Sequence, residues 1–131
     1  MQKDIIEALI NAAVKARVRA YTPYSKFKVG AAVLVDSGKI YSGCNIENAS
    51  LGGTVCAERV AIDKAVSEWY KGILAIAIAG GDKPLYPCGM CRQVMTEFAA
   101  PDMPIICTDR NGSTYEMYEL AELMPSAFTN F

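Results

Sequence analysis

A run with no polar member, Ile73-Leu74-Ala75-Ile76-Ala77-Ile78-Ala79, stands between two short cysteine motifs and restricts what this chain can form. Upstream is Cys56-Ala57-Glu58; downstream is Pro87-Cys88-Gly89-Met90-Cys91. Apolar residues at every position suit a strand covered on both faces. Periodicity predicts a helix from about Cys56 to Trp69, where Ala57, Ala61 and Ala65 form a small-residue stripe able to approach a sheet closely. A second helix is predicted from about Cys88 to Phe98, with Cys91, Val94, Met95 and Phe98 on one side. Two helices with a sheet strand between them imply a layered α/β domain with helices on both faces.

The flanking segments extend this pattern. Residues 3 to 19 read as an amphipathic helix through Ile5, Leu9, Ala12 and Ala16, and Thr22-Pro23-Tyr24-Ser25 ends it. Val29 to Val35 and Ile40 to Cys44 make a hairpin around Asp36-Ser37-Gly38. Ile105 to Thr108 and Ser113 to Met117 make a late pair of strands, and a short helix around Tyr118 to Leu123 stops at Pro125. No repeat, linker or low-complexity segment interrupts the chain, so residues 1–131 are expected to form one domain.

The chain contains no histidine, which excludes Ser-His-Asp and Cys-His mechanisms and every histidine-bearing metal site. A metal here must be bound by sulfur, and soft thiolates select zinc or iron–sulfur over magnesium or calcium. Cys56, Cys88 and Cys91 supply three ligands and leave a fourth position open, as a catalytic zinc site requires. Cys88 and Cys91, at i and i+3, project from one side of a helical turn. Both motifs fall at predicted helix starts, where free N–H groups and the positive dipole end favour thiolate over thiol. Glu58 lies two residues past the first ligand, placed to move protons. Three thiolates around Zn²⁺ sum to a net negative charge. Arg59 is the candidate to offset it by donating to sulfur, with Arg92 a second.

Two other uses of the cysteines fit parts of the pattern. A structural zinc knuckle needs four ligands in close pairs, and only one C-x-x-C exists. A thioredoxin-like redox pair suits Cys88-Gly89-Met90-Cys91 but gives Cys56-Ala57-Glu58 no task. Cys44 and Cys107, in predicted strands, read as plain buried thiols. At 131 residues, 52% apolar and formal net charge −1, the chain suits a compact domain acting on small molecules. Its scattered Lys and Arg argue against nucleic acid as a partner. Charges break the apolar run at the N-terminus, and no stretch is long enough for a bilayer, so neither an export signal nor a membrane span is expected. Five cysteines, an odd number, suggest reduced thiols in the cytoplasm.

The zinc motif resembles that of zinc-dependent nucleobase deaminases. With Tyr24-Ser25-Lys26-Phe27-Lys28-Val29-Gly30-Ala31-Ala32 and Asn45-Ile46-Glu47-Asn48-Ala49-Ser50, the chain resembles the small, homotetrameric cytidine deaminases from its first helix to Phe128. The resemblance implies a three-layer α/β/α sandwich around a five-stranded mixed sheet. It also implies hydrolysis of cytidine or deoxycytidine to the uridine and ammonia, as in pyrimidine salvage. By position it makes Cys56, Cys88 and Cys91 the ligands of one Zn²⁺ per subunit and Glu58 the proton shuttle. Ala57 and Glu58 would contact the pyrimidine edge, Asn45 and Glu47 the ribose 3′-hydroxyl, and Phe27 the ribose and base. Phe128 would stack on the base in a neighbouring subunit, so that active sites are shared across the tetramer. The chain departs from the family pattern at Leu51-Gly52-Gly53, where many relatives carry an aromatic residue; the glycines resemble blasticidin-type relatives.

Overall fold

A computed structural model describes residues 1–129. In chain order the elements are α1 (Lys3–Arg17), β1 (Gly30–Val35), β2 (Ile40–Cys44), a 3₁₀ turn (Leu51–Gly53), α2 (Ala57–Ser67), β3 (Ile73–Ala79), α3 (Gly89–Phe98), β4 (Pro104–Thr108), β5 (Tyr115–Glu119) and α4 (Leu120–Leu123). The strands form one five-stranded sheet in the order β2-β1-β3-β4-β5. It is mixed: β3 and β4 run parallel and the other neighbours antiparallel. A parallel pair needs a crossover connection, and α3 supplies it.

The all-apolar β3 run divides its residues between two cores. Ile76 and Ile78 join Val33, Ile105 and Cys107 against Ala57, Ala61 and Ile62 of α2 and Cys91 and Met95 of α3. Ala75, Ala77 and Ala79 join Ala32 and Ile106 against Ile6, Leu9, Ile10 and Ala13 of α1. The fold is the expected α/β/α sandwich, and each fully buried isoleucine or leucine contributes about 1.5–3 kcal/mol. Leu74 is the exception, 49% exposed. Val35 pairs with Ile73 and Leu34 with Ala75, so Leu74 falls at a bulge with no partner residue.

Close approach of helix to sheet depends on two glycines. A Cβ on Gly30 would lie 2.0 Å from the Ala13 carbonyl oxygen, and one on Gly43 would lie 2.7 Å from the Ala61 amide nitrogen. The Ala57-Ala61-Ala65 stripe, fully buried, completes the α2 contact as its spacing predicts.

Several boundaries differ from the sequence reading: α1 ends at Arg17 rather than at residue 19, and β5 begins at Tyr115 rather than Ser113. The second helix ends at Ser67 rather than Trp69, in a Schellman turn: Tyr70 N–H donates to the Ala65 carbonyl and Trp69 N–H to that of Val66. Trp69 takes the left-handed position (φ 72°) that glycine usually fills, so propensity gave no stop signal. Near the C-terminus, Tyr118 and Glu119 belong to β5 rather than to the last helix, because Tyr118 pairs with Ile105 and Glu119 with Pro104.

Candidate active site

Both ligand-bearing helices begin on a cysteine. Cys56 is the N-cap of α2 (φ −69°, ψ 153°) and Cys88 that of α3 (φ −70°, ψ 167°). Each extended cap places sulfur beside the unpaired N–H groups of a first turn, which stabilise negative charge. Cys91 follows in the first turn of α3, fully buried. An antiparallel bridge between Ile46 and Val55 delivers Cys56 beside Asn45.

The three sulfurs lie within 4.8 Å of one another, and Cys56 Sγ is 3.9 Å from Cys88 Sγ. Zn–S bonds of about 2.3 Å put tetrahedral sulfur pairs about 3.8 Å apart, so the Cys56–Cys88 pair already stands at the separation the ion needs. Arg59 Nη2 is 3.6 Å from Cys56 Sγ and 3.5 Å from the Thr54 carbonyl oxygen, as expected for a cation beside thiolates. Arg59 Nε is buried with no hydrogen-bond partner among the described residues, a donor suited to a site of net negative charge. Arg92 does not join it. Its guanidinium donates instead to the Pro87 and Leu123 carbonyls, both at 2.8 Å, and so pins the backbone ahead of Cys88.

Electrostatics follow from this packing. Cys91 donates to Cys56, and with Arg59 this draws Cys56 down to about 5 against the cost of burial. The same hydrogen bond, reinforced by burial, pushes Cys91 above the thiol range. A metal taking all three sulfurs therefore displaces protons. Glu58, 5% exposed, is pushed up to about 7 by burial and secondarily by the negative charge on Cys56.

Cys56, Cys88, Ala57 and Glu58 line a cavity of about 180 Å³, together with Val29, Asn45, Thr54, Leu85 and Tyr86. A larger cavity of about 440 Å³ lies beneath α4 and the C-terminal segment, lined by Thr96, Leu120, Met124 and neighbours; none of its lining side chains titrates. The chemistry belongs to the smaller one.

The other expected residues divide. Asn45 is in the cavity wall, where its Oδ1 accepts from Val29 N–H and its Nδ2 donates to the Phe27 carbonyl, both at 2.9 Å. Glu47 lies outside the wall. Its Oε1 accepts from the Tyr24 and Ser25 amides at 3.0 and 3.1 Å, its Oε2 from the Ser25 hydroxyl. These bonds leave one N–H and one acceptor site on Asn45 and one acceptor site on Oε2 for a ligand hydroxyl. The Ser25 hydroxyl in particular holds Glu47 below the usual carboxylate range. Phe27, 44% exposed, lays its ring edge 3.1 Å from where a Gly81 Cβ would sit. Phe128 is not brought to this chain's cavity; it is 63% exposed and its carbonyl accepts from Gln93 Nε2 at 2.8 Å. Thr54, Leu85 and Tyr86 are cavity residues the motifs do not name. For the last two a signal existed: Pro84-Leu85-Tyr86-Pro87 is held extended by its prolines and ends at a ligand.

An α/β/α sandwich with three thiolates and a buried carboxyl at the starts of two helices defines a zinc-binding hydrolase class. The family model described as the cytidine and deoxycytidylate deaminase zinc-binding region matches residues 3–107, and the chain belongs to that family. A cytidine deaminase of Sporosarcina psychrophila is 48% identical over 125 residues, covering 95% of this chain and 91% of that one. One of Halalkalibacterium halodurans is 47% identical over 124 residues, covering 94% and 93%. The crystal structure of cytidine deaminase from Burkholderia pseudomallei superposes with a TM-score of 0.89 at 43% identity, covering 98% of this chain and all of that one. That of Mycobacterium tuberculosis gives 0.83 at 38% identity, covering 95% and 98%. Zinc is thus the metal that Cys56, Cys88 and Cys91 are built for.

Proposed function

We propose that this chain hydrolyses free cytidine and deoxycytidine to uridine and deoxyuridine, releasing ammonia. Glu58 carries the reading: a buried carboxyl pushed up to about 7, on the wall of the cavity that Cys56 and Cys88 share. When bound, zinc at the three thiolates supplies the Lewis acidity that makes water a nucleophile near neutral pH. Glu58 takes a proton from the attacking water and delivers it to the pyrimidine ring nitrogen beside the reacting carbon. In the second half it takes the remaining proton from the newly added hydroxyl, which becomes the carbonyl, and passes it to the amino group that leaves as ammonia. A carboxyl near 7 suits both directions of transfer, which is the condition for an efficient general acid–base.

Ala57 offers its backbone to the pyrimidine edge, and Asn45 and Glu47 hold the ribose 3′-hydroxyl with the capacity their loop bonds leave over. Phe27 closes the mouth. Phe128 reaches the base of a neighbouring subunit in a homotetramer. Large apolar side chains that one chain leaves in solvent, among them Phe27, Ile46, Leu51 and Phe128, support this shared arrangement. Residues 1–131 act as a single domain in cytoplasmic pyrimidine salvage. Among the described residues no helix is long and apolar enough to cross a membrane, and a net charge of −1 suits a free nucleoside better than a nucleic acid.

The test is the loss of the cytidine absorbance band on incubation with zinc-loaded protein, with Glu58→Gln alongside. Turnover by the unmodified chain alone supports reaction and proton shuttle together. A zinc-loaded chain inactive on cytidine and deoxycytidine overturns the substrate assignment, and blasticidin S is then the next aminopyrimidine to try.

A further inference from the structure

The segment from Gly80 to Cys88 has no helix or strand of its own, yet it contributes Leu85 and Tyr86 to the cavity wall and ends at a zinc ligand. Its two ends are anchored. Arg110 N–H donates to the Gly81 carbonyl at 2.8 Å and its guanidinium pairs with Asp82, while Arg92 holds the Pro87 carbonyl at 2.8 Å. Between these anchors, residues 83–86 make one hydrogen bond to the rest of the described chain: the Tyr86 hydroxyl donates to Glu116 Oε1 at 2.5 Å. Glu116 sits on β5, opposite Cys107, on the sheet face that carries α2 and α3. The Tyr118 hydroxyl donates to the same oxygen at 2.7 Å, and the Tyr118 ring meets that of Tyr86 edge-on with centroids 5.8 Å apart.

We propose that Glu116 is a positioning residue for the reaction, acting through Tyr86 to hold the cavity wall against the sheet edge. The wall needs this because its neighbours on both sides are fixed by polar contacts, while the stretch between them is otherwise held by the packing of Leu85 against the core. An untethered Leu85–Tyr86 segment lets the bound base drift from the reacting geometry, and a misplacement of about 1 Å costs on the order of 10²-fold in rate. Because Oε1 alone serves both phenols, an amide at this position keeps the tether, whereas alanine removes it. The inference rests on the deaminase reading above.

The experiment compares Tyr86→Phe, Glu116→Ala, Glu116→Gln and the double variant Tyr86→Phe/Glu116→Ala, all zinc-loaded. Expected is a fall in kcat/KM of about 10- to 100-fold in Tyr86→Phe and Glu116→Ala, with zinc content unchanged. Glu116→Gln recovers activity to within a few-fold of the original chain, and the double variant is no worse than either single one. Backbone order parameters at positions 83, 85 and 86 provide a readout independent of turnover, expected to fall in the first two variants and not in Glu116→Gln. Order parameters unchanged in Tyr86→Phe and Glu116→Ala overturn the tether. Lower order parameters with unaltered kcat/KM, or multiplying effects in the double variant, overturn the positioning role. An original chain inactive on cytidine overturns the substrate reading and the positioning role together, while the order parameters still report the tether separately.

Discussion

Arg59 places Nη2 3.6 Å from Cys56 Sγ, and its Nε is buried with no hydrogen-bond partner among the described residues. Arg59→Ala should therefore weaken zinc binding by roughly 10- to 100-fold, the usual cost of losing a group that supports a metal ligand. Competition against a graded chelator measures this. Arg59→Lys should recover only part of the loss, because a lysine has no counterpart of the buried Nε donor or of the planar guanidinium.

Glu58→Gln should retain zinc and lose turnover by 10²- to 10⁴-fold or more. It also has a stability signature in metal-free protein. Burial raises Glu58 from its ordinary 4.5 to about 7 in the fold, so its contribution is fully present below about 4.5 and is lost as pH rises through 7. Above pH 7 the glutamine variant should thus be the more stable by on the order of 1–3 kcal/mol, read from urea midpoints at pH 5 and pH 8.

Glu47→Gln should lower kcat/KM for cytidine by about 10- to 100-fold, the range for a hydrogen bond to a charged acceptor. With a nucleoside lacking the 3′-hydroxyl, the same substitution should change little. Equal losses on both substrates would show that Glu47 serves only to brace the Tyr24–Ser25 turn.

Gly43→Ala drives a methyl to 2.7 Å from the Ala61 amide nitrogen and 2.8 Å from Val60 Cγ1, so α2 must back away from the sheet. The expected cost is about 1–3 kcal/mol, seen as a Tm lower by several degrees. Because α2 begins at Cys56, zinc affinity should fall in the same variant.

Truncation before Phe128 should cut kcat/KM more than it cuts Tm, since Phe128 is 63% exposed in a single chain. Sedimentation of the truncated chain then separates loss of assembly from loss of the stacking ring.

The metal centre was legible because its ligands are local to two helix starts: Cys56 and Cys88 both prove to be N-caps, and i, i+3 spacing brings Cys91 to the same side. Two cores around β3 were legible from its unbroken apolar run, apart from Leu74, whose exposure comes from a bulge that no periodicity encodes. Arg92 was misjudged because adjacency to Cys91 says nothing about direction; its reach is to Pro87 and Leu123, the latter 31 residues away in the chain. The bracing of the Tyr24–Ser25 turn by Glu47 and the Tyr86–Glu116 bond depend on long-range pairings, so the chain order alone conceals them.

The three cysteines and Glu58 lie at α2 and α3 on one side of the sheet, while α1 backs the other side through a floor of alanines. The two faces are consequently separate territories for change. Exchanges among Ile6, Leu9, Ile10 and Ala13 tune how much heat the chain withstands, and the sheet shields the reaction from them. A lineage moving between cold and warm habitats has in α1 a place to adjust without relearning its chemistry.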